Sequence, residues 1–390
     1  MAAILNSEIN LALNKAYESI ISESWRNPDW GWGVSPGAPS DAWSTAEIID
    51  LLNNIVVGQF GIIEKSLGRL ISLQNQDGGW GASQTESDTT GTALALMTLA
   101  RINSSMYRDN IKSGLDWLDI HQNSDGGWPL RPITKHAEAH STMFTTLFSC
   151  MAILECDKRQ LVPTAMYQRL IPLGQTFLQK ARNENGAWGL LTGSPPTARH
   201  TGYALHTQYF GLPIDSDIDT TVTWLKNHQN PNGSWGEARL GDLESTCWAV
   251  IALLDANESP HSRLMTRAIN YILHDCQTRK DSLVGWGKEP NGALLTWATY
   301  YACMALQKYI VHSESLSRTK AIAQELSAFF EKSSSNWVMV ALITLGIIML
   351  YLSLANLVVQ FDNELKLLGT LLTIGGILWA IVKGNVIKKG

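Results

Sequence analysis

Six times along the chain an apolar helical stretch runs into a turn that closes on tryptophan beside glycine: DWGWG at Trp32, QNQDGGWG at Trp80, QNSDGGW at Trp128, NENGAWG at Trp188, QNPNGSWG at Trp235 and SLVGWG at Trp286. The anchors lie 48, 48, 60, 47 and 51 residues apart. Spacings of that size hold two helices and their connections, so the chain is a repeat architecture in which no unit buries its apolar face alone.

Each unit divides in two. Ahead of the turn runs an amphipathic helix, with Ile111, Leu115 and Leu118 before Trp128 and Ile218, Val222 and Leu225 before Trp235 at i, i+4, i+7. Trp117, Phe177 and Trp224 recur eleven residues ahead of three anchors. After the turn comes a helix apolar nearly all round, as in GTALALMTLARI and STCWAVIALLDA, and such a helix is buried on every side. The pattern predicts amphipathic helices over 7–24, 61–74, 108–120, 163–181, 217–228 and 259–276, and buried ones over 41–56, 88–102, 137–156, 197–210, 242–256 and 291–309. Alternating outer and inner helices close into an all-α barrel of six hairpins. The glycines are expected to end the outer helices with φ > 0, and each indole to plug the hairpin and cap a free carbonyl.

Net charge is −5 and the repeats carry no Lys/Arg cluster, which leaves a nucleic-acid partner without an electrostatic footprint. Five scattered cysteines without CxxC spacing fit a reducing compartment. The first fifteen residues lack the basic and apolar regions of a cleaved signal. After residue 335 the composition changes. Residues 337–359 carry no charge and reach across ~30 Å of hydrocarbon at ~1.5 Å per residue, and 367–382 form a second apolar run flanked by Lys366 and Lys383. These read as a transmembrane hairpin (336–390), joined to the repeat domain (1–312) by an amphipathic helix (313–335). Lysines outside both ends of the hairpin place the termini and the repeats in the cytoplasm, as an integral protein of a bacterial inner membrane.

The Gln-x-x-x-Gly-x-Trp cadence at Gln74 to Trp80, Gln122 to Trp128 and Gln229 to Trp235 resembles the QW repeat of squalene and oxidosqualene cyclases, shared in weaker form by protein prenyltransferase β-subunits. The resemblance covers about residues 1–312. It implies an (α/α)6 toroid whose central cavity holds an isoprenoid, and implies no particular reaction, because sites are grafted onto folds.

Aligned on their tryptophans, five inner-helix starts carry an ionisable side chain: Asp41, Asp88, His140, His200 and Glu244, with Thr296 in the sixth. Helices running the same way would gather these at one mouth, as catalytic acids and bases or as N-caps. Protonation-initiated cyclases resemble a DxDDTA pattern, and here Thr85 to Thr90 read T-E-S-D-T-T, so the expected proton-donating aspartate is Ser87. No Asp-Asp pair exists for a DDxxD magnesium site. Prenyltransferases resemble an Asp-x-Cys zinc pattern. Asp242, Glu244 and Cys247 occupy the comparable helix at the wrong spacing, and His140 and His200 are the imidazoles that would complete a zinc set with Glu244 and Cys247. His121 and His228 should bond local carbonyls, and the Asp215 to Asp219 run should cap a helix rather than hold calcium.

Two functions remain open. In the first, a membrane-anchored toroid binds an isoprenoid or other lipid, and whether it transforms it as a cyclase-like or prenyltransferase-like enzyme stays undecided. In the second, the toroid senses a ligand or oligomerises, and a self-associating hairpin with Gly346, Gly369, Gly375 and Gly376 disrupts the membrane, as in effectors of bacterial antiviral defence.

Overall fold

The computed structural model describes residues 2–332 apart from 56–59, 84, 133–138, 216 and 237–240. The expected alternation is present. The outer helices are α1 (Ala2–Ile21), α3 (Phe60–Ser72), α5 (Arg108–Ile120), α7 (Thr164–Ala181), α9 (Ile218–Asn227) and α11 (Arg263–Asn270), the last continued by a π-helical turn, Tyr271–Asp275. The inner helices are α2 (Ala42–Ile55), α4 (Thr89–Asn103), α6 (Met143–Asp157), α8 (Ala198–Phe210), α10 (Leu243–Asp255) and α12 (Thr296–Lys332). Inner helices pack in succession, α2 on α4, α4 on α6, α6 on α8 and α8 on α10.

The ring closes through hydrogen bonds between the last hairpin and the first. The Thr296 N–H donates to Val34 O (2.9 Å), its hydroxyl donates to Gly33 O (2.6 Å), and the Trp25 indole donates to that hydroxyl (3.1 Å). The sixth turn is a β-hairpin, β3 (Gln277–Lys280) with β4 (Leu283–Trp286), and the Val284 N–H on β4 donates to Ser19 Oγ on α1 (2.9 Å).

One hydrogen-bond scheme recurs in all six units. Trp32, Trp80, Trp128, Trp188, Trp235 and Trp286 are fully buried, and their indole N–H groups donate at 2.7–2.9 Å to the carbonyls of Ile20, Leu70, Leu118, Leu178, Leu225 and Ile272. Those carbonyls lie in or next to the last turn of each outer helix, where the i+4 donor is missing and at most a longer i+3 bond remains, as from the His121 N–H to Leu118 O (3.4 Å). The anchor backbone N–H groups donate at 2.9–3.1 Å to the hydroxyls of Thr45, Thr92, Thr146, Thr201, Thr246 and Thr299, each in the first turns of its inner helix. Each anchor thus bolts the end of an outer helix to the start of an inner one. The cadence glutamines link neighbours: Gln122 Nε2 donates to Gly126 O (2.9 Å) in its own turn and to Leu170 O (3.0 Å) on α7, and Gln74 and Gln229 do the same one unit away.

The glycines act differently from the expectation. Gly78, Gly126, Gly186 and Gly233 take φ of +79 to +94, but two residues before the anchor and several residues beyond the helix end; α5 and α9 end on His121 and His228 at negative φ. A Cβ on Gly126 would stand 2.4 Å from Leu173 O, so this glycine admits the next outer helix rather than ending its own.

Met1–Ser313 form one compact unit and Glu314–Gly390 a second. α12 is continuous across the expected joint between the inner helix at 291–309 and the connecting helix at 313–335. Among the described residues no helix is long and apolar enough to cross a membrane; the expected hairpin at 336–390 lies outside the described residues.

Candidate functional site at the toroid mouth

Because every inner helix starts beside its anchor, their N-terminal ends share one mouth, and a cavity of about 360 Å³ opens there. α2 and its cap contribute Asp41, Trp43, Ser44 and Glu47; α6 contributes Phe144, α8 Arg199 and His200, α10 Glu244, and α12 Trp297 and Tyr301. Val34, Ala82 and Leu190 from connecting loops complete the wall. A larger groove of about 690 Å³ lies by α9, and among the described residues its lining has His228 as its one ionisable side chain.

The structure brings Asp41, His200 and Glu244 to this cavity. Asp41 is the cap of α2: its Oδ1 accepts from the Ser44 N–H (2.7 Å) and its Oδ2 from the Ser44 hydroxyl (3.0 Å). Burial raises its pKa, against the opposing pull of those bonds. His200 is 2% exposed, with Nδ1 2.7 Å from the Thr197 hydroxyl. Burial, then the adjacent Arg199 guanidinium, pushes its pKa down to about 3, so the imidazole is neutral. Glu244 Oε2 accepts from Arg199 Nη1 (2.9 Å) and its Oε1 from the Tyr203 hydroxyl (3.1 Å), which stands 3.3 Å from the Tyr301 hydroxyl.

Asp88 stands behind the wall as the N-cap of α4. Its Oδ1 accepts from the Gly91 N–H (2.8 Å), its Oδ2 from the Ala82 N–H (3.1 Å), and the Trp43 indole donates to both oxygens at 2.9 and 3.1 Å. The capping reading holds for it, and it orients a cavity tryptophan. A Cβ on Gly91 would meet the Trp43 ring at 2.8 Å, which is why α4 opens T-T-G. Ser87 carries no acid and is locked in the turn, donating to Asp77 Oδ1 (2.6 Å).

His140 does not reach the cavity. It is exposed, in the loop that joins a short strand pair, β1 (Trp128–Pro129) with β2 (Ser141–Thr142), and α6 is capped by Thr142. Glu244 and Cys247 part company too: Cys247 is fully buried, its charged form disfavoured by burial and then by Cys276, while Glu244 turns to α8. Among the described residues no three His, Cys, Asp or Glu side chains stand close enough to share a metal ion, so His140, His200, Glu244 and Cys247 do not form a zinc set. His121 and His228 bond the Trp117 and Trp224 carbonyls at 2.8 and 2.7 Å, and Asp217 caps α9, as expected.

The acid that sequence reasoning missed is Glu47, one turn into α2. It is 2% exposed, lines the cavity, and its Oε2 has no hydrogen-bond partner. Burial, then the neighbouring carboxylates of Asp41 and Glu244, holds its pKa well above the usual range, against the opposing pull of the Tyr301 hydroxyl. The signal was present: Glu47 and Asp50 are two acids inside an otherwise buried helix. Asp50 belongs to the opposite end, where it pairs with Arg101 (2.7 Å) and accepts from the Tyr300 hydroxyl (3.0 Å).

Residues 63–214 match the family model for the squalene-hopene cyclase C-terminal domain, and residues 203–328 that for the prenyltransferase alpha-alpha toroid domain. These matches support the terpene cyclase and prenyltransferase superfamily of helical toroids. A squalene–hopene cyclase from Bradyrhizobium diazoefficiens is 23% identical over 230 residues, 50% of this chain and 34% of that protein. The chain spans between 19% and 39% of the length of the curated relatives it matches. Among solved structures, a type II terpene cyclase from Scytonema with geranylgeranyl dihydroxybenzoate bound as substrate has a TM-score of 0.56 at 14% identity, covering 80% of this chain and 99% of that one. A cellobiose 2-epimerase from Bacillus thermoamylovorans has a TM-score of 0.60 at 12% identity, covering 78% and 99%. The structures establish the helical toroid, and the epimerase shows that the toroid alone fixes no chemistry.

Proposed function

We propose that this chain binds an isoprenoid or related apolar lipid in the mouth cavity, with the apolar body against Trp43, Phe144 and Trp297 and the head near Asp41, Glu47, His200 and Glu244. The observation that carries the reading is an aromatic-walled cavity with a few polar groups converging on it at the one end all inner helices share. The superfamily matches support it, and a relative's prenylated substrate in the same fold is consistent with it. The residue that would donate a proton in the DxDDTA pattern is Ser87, so the reading is of binding, and any proton transfer falls to the cavity acids.

The proposal includes a membrane tether at 336–390, which would let a water-insoluble ligand pass from bilayer to cavity. Purified full-length chain, extracted and analysed by mass spectrometry, should yield about one apolar lipid per chain; an empty chain would contradict the reading. Alkaline carbonate washing of host membranes should leave the chain in the pellet. The locked Ser87 also favours a second reading, a membrane effector with a ligand-sensing toroid. Truncation after Ser333 separates the two: growth arrest that depends on the hairpin, with no bound lipid, belongs to the effector.

A further inference from the structure

The charge at the mouth is lopsided. Among the described residues, the cavity brings together the carboxyls of Asp41, Glu47 and Glu244 and the single guanidinium of Arg199, which is already paired with Glu244 at 2.9 Å. His200 is neutral. Glu47, 98% buried by its 2% exposure, leaves Oε2 without a partner, although a buried polar atom ordinarily has one. Trp43, Trp297 and Tyr301 border the same space. An anionic head would add charge beside carboxyls that lack cations of their own. A neutral hydrocarbon would leave Oε2 unpaired, whereas a compact organic cation answers both the acids and the aromatic rings.

We propose that the mouth cavity takes a ligand whose head is a positively charged nitrogen on an apolar body, seated between the carboxyls of Asp41 and Glu47 and the aromatic side chains of Trp43, Trp297 and Tyr301. The inference rests on the lipid-binding reading above and narrows its ligand class. The cavity, near 360 Å³, suits a small head with a short chain and no bulky ring system. The groups around Glu47 are Asp41 and Asp50 on its own helix, Glu244 from α10, and Tyr300 and Tyr301 from α12, with Arg199 of α8 acting on Tyr301 and Asp88 of α4 on Asp41. Their balance is acidic, which favours the protonated form of Glu47 in the empty cavity, and an arriving cation favours the carboxylate in its place. The only bond that changes is the Glu47 O–H, which breaks as its proton passes to water or buffer and the ammonium settles beside the carboxylate. Affinity therefore rises with pH until Glu47 is already ionised, while an aliphatic amine with a pKa near that of lysine, about 10.4, stays charged.

The test uses the full chain in maltoside micelles and three calorimetric titrations at pH 7.5, with N,N-dimethylgeranylamine, geraniol and geranyl diphosphate. The amine should bind at least tenfold tighter than geraniol and the diphosphate most weakly. Titrations in phosphate and in Tris should show about one proton released per amine bound. Glu47→Gln should bring the amine to within about threefold of geraniol measured on the same variant. Amine and alcohol binding equally, or the diphosphate binding most tightly, would overturn the inference and leave the lipid-binding reading standing. Should none of the three bind, that reading fails and takes the inference with it. If Glu47→Gln does not fold, the proton count on the unaltered chain decides: no proton released overturns the proposal.

Discussion

At the scale of single residues, the neutral His200 makes a prediction with a definite sign. Its pKa falls from an ordinary 6.5 to about 3 on folding, so between those values the unfolded chain binds a proton that the folded chain does not. Its contribution to stability is complete above pH 6.5 and is lost as pH falls through that window. Glu47 works the other way: its raised pKa means the folded state holds a proton the unfolded state releases, and that contribution is lost as pH rises. Urea midpoints at pH 7.5 and 4.5 should show the wild type losing more stability on acidification than His200→Gln; equal losses would contradict the account. The Trp128 indole offers a second check, since Trp128→Phe removes its 2.8 Å bond to the Leu118 carbonyl and leaves that oxygen only the longer bond from the His121 N–H (3.4 Å), at a cost of roughly 1 kcal/mol read from chemical denaturation. The anchors were legible because tryptophan beside glycine at a regular interval has few other uses. Aligning the units on them was less reliable for His140, because the third unit places its cap, Thr142, fourteen residues after Trp128 where the other inner helices begin sooner. Glu47 lies inside a helix rather than at a helix start, and its meaning depends on what α10 and α12 bring across the cavity.

At the scale of elements, the turns set how closely hairpins pack. Gly126→Ala puts a Cβ against Leu173 O at 2.4 Å in a backbone that already disfavours side chains, whereas Gly193, at φ +79, has open space around it. Gly193→Ala should cost about 1 kcal/mol of strain alone, and Gly126→Ala should exceed it by well over that as α7 is pushed away. Chemical denaturation of the two variants compares them; equal losses would mean that the close approach is unimportant. Helix identity was readable from periodicity, and most boundaries fell within a few residues. The β3–β4 hairpin was not readable, because SLVGWG carries the same tryptophan and glycine as the tight turns while Val284 continues a strand where other units have a left-handed residue.

At the scale of the whole molecule, two polar systems divide the inner helices between them. Toward the C-terminal ends of α2, α4, α6, α8 and α10, Arg101 bridges Asp50 (2.7 Å) and Glu155 (3.7 Å), and Asp255 joins His206 (2.8 Å) and Lys308 of α12 (2.5 Å), so all six inner helices contribute to a largely paired belt. At their N-terminal ends, among the described residues, the acids are in excess, and Glu47 Oε2 and the Thr90 hydroxyl are buried without a hydrogen-bond partner. That contrast marks one end as structural and the other as the place for a ligand. Closure depends on Thr296, so Thr296→Val, which leaves the buried Trp25 indole without an acceptor, should lower stability by roughly 1–3 kcal/mol; an unchanged melting curve would contradict the role given to it. A closed toroid was legible from six repeats, but the ends could not be told apart without knowing which charges pair. The most direct test of ligand binding at the mouth is photo-crosslinking of the full chain with a diazirine-bearing geranyl probe, followed by peptide mapping. The account predicts labels on residues 41–47 and 297–301 that excess geraniol removes. Labels confined to the outer groove around Trp224 and His228 would contradict it.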